Sequence, residues 1–324
     1  KTEEGRRIVR IYNSVARALV QFEAAWYEGW CEVVDAAKDG LLATLLVVSP
    51  DSGNYVVNFD SQIMQLTREI KLLREMGMEI PESAEVVFRH KDRIKQYSMK
   101  LHFVLKEYNR VKELIRPSYA RIVRPLLSRL DDVMAPGLVS LTWSSLNIDG
   151  YVAQTMAAIG QVEQIFQKAN DLLDLRLDKR SRDIASSRFI NLSHPHTLSL
   201  QDFLQMQEEA ARKCAYDINL KSLEMENATD ELIHLLTQSF TPEEMLELRG
   251  DCVGMLAQFQ KLTVDSTLTA LRQSVLMLKQ RISSMRKQDA KPLFKAEVHL
   301  NVPDIVLEPS LDEMQICLNQ TAKA

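Results

Sequence analysis

The chain has 324 residues, of which 46% are hydrophobic and 26% charged, with only ten glycines and ten prolines. This balance excludes a disordered polymer and favours long helices over a meander of short strands. The 40 basic residues stand against 44 acidic ones and form no basic run, which argues against a nucleic-acid-binding protein.

The cysteines and the apolar stretches indicate a reduced, intracellular protein without a membrane span. The four cysteines lie far apart and form no CxxC pair. The longest apolar stretch, residues 40–48, is far shorter than the roughly 20 residues that cross a bilayer. Because both ends of the sequence lie within helical patterns, we expect a piece of a longer chain.

The first elements are a long helix, a β-hairpin and a second helix. Residues 4–39 read as one helix, with Trp26 and Trp30 on one side. β-Branched and aromatic residues on both sides of the turn-forming segment 49–54 predict a small β-hairpin at residues 44–59. A helix is then predicted from about residue 60 to Gly77.

A third helix carries a narrow apolar stripe. Seven apolar or aromatic residues recur at alternating spacings of three and four: Ile94, Tyr97, Leu101, Val104, Tyr108, Val111 and Ile115. We expect kinks or restarts at Pro117 and Pro125, and a stop at residues 135–137, which read Ala-Pro-Gly. Residues 138–143 are predicted to form an extended link.

The next helix is predicted to begin near Asp149. The charged segment 178–188 and the His194-Pro195-His196 sequence then form the expected internal boundary. We therefore predict two segments: residues 1–190, helical bundles with the hairpin, and residues 191–324, a helical-bundle segment with long helices.

The second segment contains two long helices with clear start signals. Ser199 is a plausible N-cap for the first, and Thr241, Pro242 and Glu244 form a capping box for the second. The second helix carries a heptad stripe that is a candidate seam for a partner or for the bundle itself: Val264, Leu268, Leu271, Val275, Leu278, Ile282 and Met285. A short extended segment near residues 293–300 and a last helix from Ser310 follow.

These elements predict an all-α fold, an elongated array of antiparallel helical bundles with one small hairpin and one short extended segment. Each stripe is narrow, so each helix needs neighbours that cover it. A stripe of this kind is usually core within one chain. For residues 94–115 and for residues 264–285 an interface with a second protein is the alternative.

The sequence contains no recognisable catalytic, cofactor or metal site. It lacks the P-loop, GxGxxG, HExxH, GxSxG and EF-hand patterns. His194 and His196 flank a proline without ligand residues at helical spacing, so they read as loop residues. The adjacent pairs Asp131–Asp132 and Glu208–Glu209 point apart on a helix and read as solvated faces.

Three blocks of characteristic sequence follow one another along the chain. Residues 47–60 read VVSPDSGNYVVNFD and lead through an Arg-Glu pair at 68–69 to MGMEIP at 76–81. Residues 136–151 read PGLVSLTWSSLNIDGY, and residues 306–318 read VLEPSLDEMQICL. The structural residues of these motifs are Tyr55, Asn58, Phe59, Asp60, Trp143 and Tyr151. Together the three blocks resemble the tail of dynein heavy chains. Ser61 departs from the pattern, where that family has proline.

The resemblance implies a tail segment of an axonemal heavy chain, with an outer arm favoured over an inner arm. In that family the tail assembles heavy chains, carries WD-repeat intermediate chains and light chains, and docks on the doublet microtubule of the cilium or flagellum. ATP and Mg²⁺ belong to the distant motor domain. Nucleic-acid and membrane partners are not expected. The alternatives are a generic helical tether or adaptor of spectrin-like or repeat type, which would need a repeating motif, and an enzyme built from scattered residues.

Overall fold

The computed structural model describes residues 2–59, 62–193, 197–284, 292–301 and 303–323. These residues are mainly helical, with two small antiparallel strand pairs, which confirms the all-α prediction. In chain order the elements are α1 (Glu3–Gly40), β1 (Leu46–Val48), β2 (Tyr55–Val57), α2 (Gln62–Glu75), α3 (Glu82–Glu113), α4 (Arg124–Val139), α5 (Ile148–Leu172), a π-helical turn (Leu173–Asp178), α6 (Lys179–Ala185), α7 (Leu200–Thr237), α8 (Pro242–Ser284), β3 (Glu297–Asn301), β4 (Asp304–Glu308) and α9 (Leu311–Lys323).

Contacts between residues divide the chain into two units. The first contains residues 1–114 and 126–163, and the second contains residues 115–125 and 164–324. Residues 164–190 therefore group by contact with the second unit, although the sequence placed them in the first segment. The predicted domain division at residues 190 and 191 stays a prediction.

In the first unit, α3 packs against α1, α2 and strand β2. Six residues of the predicted α3 stripe are buried: Ile94, Tyr97, Leu101, Val104, Tyr108 and Val111. The seventh, Ile115, lies just beyond the end of the helix and is half-buried. This stripe is therefore core within the chain, because the neighbouring elements of the same unit cover it.

The predicted stop at residues 135–137 is wrong, because α4 continues through Pro136 and Gly137 to Val139. A proline in the last helical turn removes only one backbone hydrogen bond, and its fixed φ suits the helix. The Pro136 carbonyl then accepts from the Ser140 and Leu141 amides at 3.1 and 2.8 Å, which ends the helix. The predicted extended link at 138–143 is correspondingly shorter, with Thr142 in an isolated bridge to Thr44.

The charged segment predicted as a break also remains helical as far as Ala185. The π-helical turn and α6 stay helical because they share an apolar face, on which Leu173, Leu177 and Ile184 are buried. The charged side chains point outward, and Arg180 forms an ion pair with Glu224 at 2.6 Å. The chain leaves the helix at Ser186.

In the second unit, α8 approaches α6 through small side chains. Ser266, Ala270 and Ser274 are buried on this face of α8. The Ser266 hydroxyl donates to the Leu262 carbonyl at 2.7 Å, so its oxygen is left to accept from Ser181, also at 2.7 Å. These hydroxyls satisfy their hydrogen bonds at the contact itself.

The capping predictions are confirmed. The Thr241 hydroxyl accepts from the Glu244 amide at 3.3 Å, and the Glu244 carboxylate accepts from the Thr241 amide at 2.8 Å. Ser310 and Glu313 repeat this arrangement at the start of α9, with distances of 3.3 and 2.8 Å. The Ser199 hydroxyl caps α7 by accepting from the Asp202 amide at 3.2 Å.

The structure contains the predicted extended segment near residues 293–300, but the prediction omitted the strand that pairs with it. Phe294 forms a parallel bridge with Leu198 and packs edge-on against Phe203 at 5.1 Å between ring centroids. Strand β3 then pairs with β4, a second strand that the sequence analysis missed. Within β4, apolar Ile305, Val306 and Leu307 follow one another without the alternation that marks a half-buried strand.

Candidate partner-binding surfaces

The motif residues of the first two blocks surround the β1–β2 hairpin in the first unit. Asn58 is held by two hydrogen bonds: its amide donates to the Leu45 carbonyl at 2.9 Å, and its side chain donates to the Thr44 carbonyl at 3.0 Å. The Trp143 indole donates to the Asn58 carbonyl at 2.8 Å and packs edge-on against Phe59 at 5.7 Å. Asp60 lies outside the residues that the structure describes.

Tyr55 joins the hairpin to α3 and α4. Its ring lies 5.4 Å from that of Tyr108, whose hydroxyl donates to the Asp131 carboxylate. Burial and the adjacent carboxylate raise the pKa of Tyr108 far above its usual range. The Lys112 ammonium lies 4.4 Å from the Tyr108 ring centroid and so stabilises the exposed side of this pair.

Tyr151 fixes the contact between α5 and α4. Its hydroxyl donates to the Met134 carbonyl at 3.0 Å, and burial raises its pKa to about 12. Gly137 lies directly beneath the ring, where a Cβ atom would collide with the hydroxyl. In this block glycine therefore serves close packing between helices, and the contacts of these motif residues stabilise the fold.

The candidate seam on α8 is mostly exposed. Val264 is 57% and Leu271 is 39% exposed, whereas Leu278 is 4% exposed. Leu268, Val275 and Ile282 are exposed as well, and Met285 lies outside the described residues. The face of α8 that packs within the unit is the neighbouring one with Ser266, Ala270 and Ser274. Within this chain, only Leu278 of the described stripe is core.

Basic residues border this stripe. Lys261, Arg272 and Lys279 are exposed and lie, at 100° per residue, on the side of the stripe away from the packed face. Asp265 is the acidic residue on that border. A groove of about 230 Å³ between α7 and α8, lined by Met225, Phe259 and Val264, opens at the start of the stripe. The stripe thus has an apolar centre and a basic border.

In the described part of the chain, the side chains that could bind a metal or act as nucleophiles lie apart from one another. No group of three or more His, Cys, Asp or Glu residues converges there on a possible metal position. Burial raises the pKa of the Cys214, Cys252 and Cys317 thiols, which makes them less nucleophilic. Glu208 pairs with Arg212 at 2.6 Å, and His194 and His196 lie outside the described residues.

Among the described helices, none is long and apolar enough to span a bilayer.

Comparisons with known proteins point to one family. The profile of the dynein heavy chain, N-terminal region 1, matches residues 1–151, which include the hairpin and the Trp143–Tyr151 block. Residues 1–151 therefore belong to the dynein heavy chain family. Mouse dynein axonemal heavy chain 8 is 28% identical over 98% of this chain and 8% of its own length. The flagellar outer arm dynein gamma chain of Chlamydomonas reinhardtii is 29% identical over 99% of this chain and 7% of its own length.

The similarity to these two relatives therefore extends well past residue 151 and covers both units of the chain. An inner arm relative, the dynein-1-alpha heavy chain of Chlamydomonas reinhardtii, is 22% identical over the whole chain. This similarity to axonemal and flagellar heavy chains indicates the cytoskeleton of a cilium or flagellum. The chain spans less than a tenth of the length of these relatives.

Proposed function

We propose that this segment is a non-catalytic assembly scaffold in the tail of an axonemal dynein heavy chain. In this role it holds heavy chains together, carries intermediate and light chains, and contributes to docking on the doublet microtubule. The observation that supports it best is the exposed heptad stripe of α8, which lies on a helix already anchored through another face. An exposed apolar stripe of this kind marks an interaction site.

The border of the stripe indicates the chemistry of the partner. Lys261, Arg272 and Lys279 favour a helix with apolar residues at heptad spacing and acidic residues beside them. The charges set register and speed of association, whereas buried leucine-type anchors supply most of the affinity. An axonemal dynein intermediate chain with its light chains is the partner that we propose to test.

Capture of a purified intermediate chain–light chain complex tests this role. We expect Leu271→Asp to abolish capture and to leave the circular dichroism spectrum and the unfolding temperature unchanged, because the side chain is exposed in this chain. Leu276→Asp is the matched control: Leu276 is also exposed, at 52%, on the same helix but lies outside the stripe, so capture should persist.

Charge reversal gives a second readout. Arg272→Glu combined with Lys279→Glu should slow association and weaken its dependence on salt concentration, because both residues flank the stripe. Unaltered capture by Leu271→Asp and by the charge-reversed variant would remove α8 as the binding surface. If Leu271→Asp unfolded the second unit, the stripe would be internal core.

The same proposal assigns ATP hydrolysis to the motor domain of the full-length heavy chain, where ATP and Mg²⁺ would bind. The described residues do not suit a nucleotide. The two glycines with positive φ, Gly53 and Gly77, lie in a hairpin turn and at the end of α2, and neither joins a strand to a helix as a phosphate loop does. We expect the purified segment not to turn over ATP. Turnover that survives further purification would contradict the scaffold role.

A further inference from the structure

A groove in the first unit, between α1 and α2, combines two tryptophans with one carboxylate. Trp26, Gly29 and Trp30 of α1 line it together with Leu66 and Glu69 of α2, and its volume is about 520 Å³. Leu66 is 3% exposed and forms an apolar floor, whereas Trp26 is 43% exposed at the edge. The groove, called the tryptophan groove below, is therefore open to a ligand from solvent.

The aromatic wall of the tryptophan groove is fixed by contacts within the unit. The rings of Trp26 and Trp30 are nearly parallel, at 15°, with their centroids 6.4 Å apart. Tyr27 lies 6.0 Å from Trp30 between ring centroids, and its hydroxyl donates to the Glu79 carbonyl at 2.6 Å. Because the indole has the aromatic face that attracts a cation most strongly, this wall favours a positively charged ligand.

Glu69 adds a negative charge that has no cationic partner among the residues that the structure describes. One carboxylate oxygen accepts from the Trp30 indole at 3.0 Å, and the other accepts from the Gln65 side-chain amide at 2.9 Å. Lys71, on the same helix, pairs instead with Glu75 at 3.9 Å. Both donors to Glu69 are neutral, and a carboxylate has about four positions for accepted hydrogen bonds, so each oxygen can still accept from a ligand.

Glu69 is also the acidic member of the Arg-Glu pair at residues 68–69. Successive side chains on a helix point about 100° apart, and Arg68 is exposed without lining the groove. The arginine of this pair therefore does not neutralise its glutamate. The carboxylate stays available for a cation from another molecule.

Gly29 keeps the middle of the groove unfilled. Glycine inside a helix is destabilising relative to alanine, yet a Cβ atom built at position 29 would meet nothing within 4 Å. Close packing within the described part of the chain thus does not account for this glycine. A ligand that occupies the space beside Trp26 and Trp30 does account for it.

We propose that the tryptophan groove binds an arginine side chain presented by a peptide segment of another protein. The guanidinium stacks on the Trp26 indole and donates two parallel hydrogen bonds to the Glu69 carboxylate, and its methylene groups cover Leu66. The planar fork of arginine matches a carboxylate and an aromatic face at the same time. A lysine ammonium is a point charge that cannot form the parallel pair, so arginine is preferred.

The tryptophans provide a direct readout in the purified 324-residue chain. With ¹⁵N labelling, Trp26, Trp30 and Trp143 each give one indole N–H signal in a nuclear magnetic resonance spectrum, and single changes to phenylalanine assign them. The probe is the capped peptide acetyl-Ala-Ala-Arg-Ala-Ala-amide. We expect it to shift the Trp26 and Trp30 signals with a dissociation constant of about 1 mM or tighter. The Trp143 indole, bonded to Asn58, should not respond.

Two further peptides test the chemistry of the ligand. Citrulline in place of arginine keeps the shape and removes the charge, and we expect it to bind at least tenfold more weakly. Lysine keeps the charge without the planar fork, and it should bind at least threefold more weakly than arginine. Equal affinity for the citrulline peptide would overturn the proposal, because the groove would then accept a neutral side chain as readily.

Glu69→Gln tests the carboxylate, since the glutamine oxygen can still accept from the Trp30 indole while the charge is lost. Binding of the arginine peptide should weaken at least tenfold. Glu75→Gln is the matched control, because it is the same change on the same helix at an exposed position that does not line the groove, and binding should persist. Equal weakening in both variants would mean that the net charge, rather than the groove, attracts the peptide.

Gly29→Leu tests the open space. The leucine side chain should fill the groove and abolish the peptide-induced shifts, while circular dichroism and the unfolding temperature show that the helix is retained. Unaltered binding by this variant, or no shift of either signal in the unaltered chain at about 10 mM peptide, would overturn the proposal. The site does not depend on the α8 stripe, so Leu271→Asp should not change the peptide titration.

Discussion

The Trp143 indole donates a hydrogen bond of 2.8 Å to the backbone carbonyl of Asn58, a residue 85 positions earlier in the chain. This bond joins the end of the β1–β2 hairpin to the segment that precedes α5. Asn58 in turn donates from its amide and its side chain to Leu45 and Thr44. A single tryptophan thus links three stretches of the first unit that are distant in sequence.

Replacing this indole should destabilise the first unit. Trp143→Phe removes the donor and leaves the Asn58 carbonyl without it, which costs about 1–3 kcal/mol of unfolding free energy. The smaller ring also leaves a cavity, which adds to the cost. Urea unfolding followed by tryptophan fluorescence measures this, because Trp26 and Trp30 remain in the same unit.

The control for this prediction is Trp26→Phe. Trp26 is 43% exposed, so its replacement should change the unfolding free energy by less than about 0.5 kcal/mol. An equal loss of stability in both variants would mean that general loss of aromatic area, rather than the bond to Asn58, determines the effect.

Gly137→Ala should also destabilise the first unit. The added Cβ would collide with the Tyr151 hydroxyl, and overpacking of this kind costs about 1–3 kcal/mol. Tyr151→Phe removes the nearest atom of the collision, so the double variant should be more stable than the sum of the single changes predicts. Differential scanning calorimetry of the four proteins gives the coupling.

Gly160→Ala is the matched control for the glycine change. Gly160 lies inside α5, and a Cβ atom there would meet nothing within 4 Å. Alanine at this position should therefore stabilise the chain by about 0.5–1 kcal/mol through its helix propensity. A loss of stability at both positions would show that helical glycines, rather than the Tyr151 contact, explain the result.

The first unit should lose stability in alkali. Burial raises the pKa of Tyr151 from its ordinary value of 10 to about 12, so the folded state holds the phenol proton more tightly than the unfolded state. The contribution of this pKa shift to the free energy of unfolding is fully present below pH 10 and is lost as the pH rises towards about 12. Its full size is about 3 kcal/mol at 1.36 kcal/mol per pKa unit.

Urea unfolding at roughly pH 8 to 11.5, which spans most of that titration, measures how much unfolding free energy the first unit loses in alkali. Tyr108, whose pKa burial and Asp131 also raise, contributes in the same direction. Tyr151→Phe should therefore make the decline with pH shallower without abolishing it. An unchanged slope in that variant would mean that Tyr151 ionises alike in both states.

Ser274→Ala should loosen the contact between α8 and the residues that follow α6. The Ser274 hydroxyl accepts from the Phe189 amide at 3.0 Å and donates to the Ala270 carbonyl at 2.8 Å, so alanine leaves a partly buried N–H without its acceptor. The expected cost is about 1–3 kcal/mol. Hydrogen–deuterium exchange should quicken in residues 179–190. Ser283→Ala, an exposed change on the same helix, should leave that exchange unaltered.

Start signals and periodicity predicted most of the helices, because capping and burial of one face are local properties of the sequence. The capping box at Thr241 and Glu244 has the predicted geometry, and the stripe from Ile94 to Val111 is core. Interruptions were harder to predict. Pro136 and Gly137 read as a stop, yet the space that Tyr151 requires explains the glycine, and that contact is visible only in three dimensions.

Which faces of the helices are exposed could not be predicted from the sequence either. Heptad spacing identified the stripe from Val264 to Met285, but spacing cannot distinguish a covered stripe from an exposed one. The face that α8 does bury is made of Ser266, Ala270 and Ser274, which hydropathy ranks below the leucines beside them. The exposure of much of α1 was not predicted either, because the sequence analysis placed Trp26 and Trp30 on the same side of the helix. Trp30 is packed within the unit, whereas Trp26 is exposed.

Two backbone hydrogen bonds beside the hairpin, called the ladder below, determine how the first unit bears a load. The Leu45 amide donates to the Leu141 carbonyl at 3.0 Å, and the Ser144 amide donates to the Leu41 carbonyl at 3.2 Å. These bonds join the residues just after α1 to the residues just before α5. Tension applied through those two helices would therefore cross the ladder and bypass the intervening hundred or so residues, so that α2, α3 and α4 stay unstrained until the ladder ruptures.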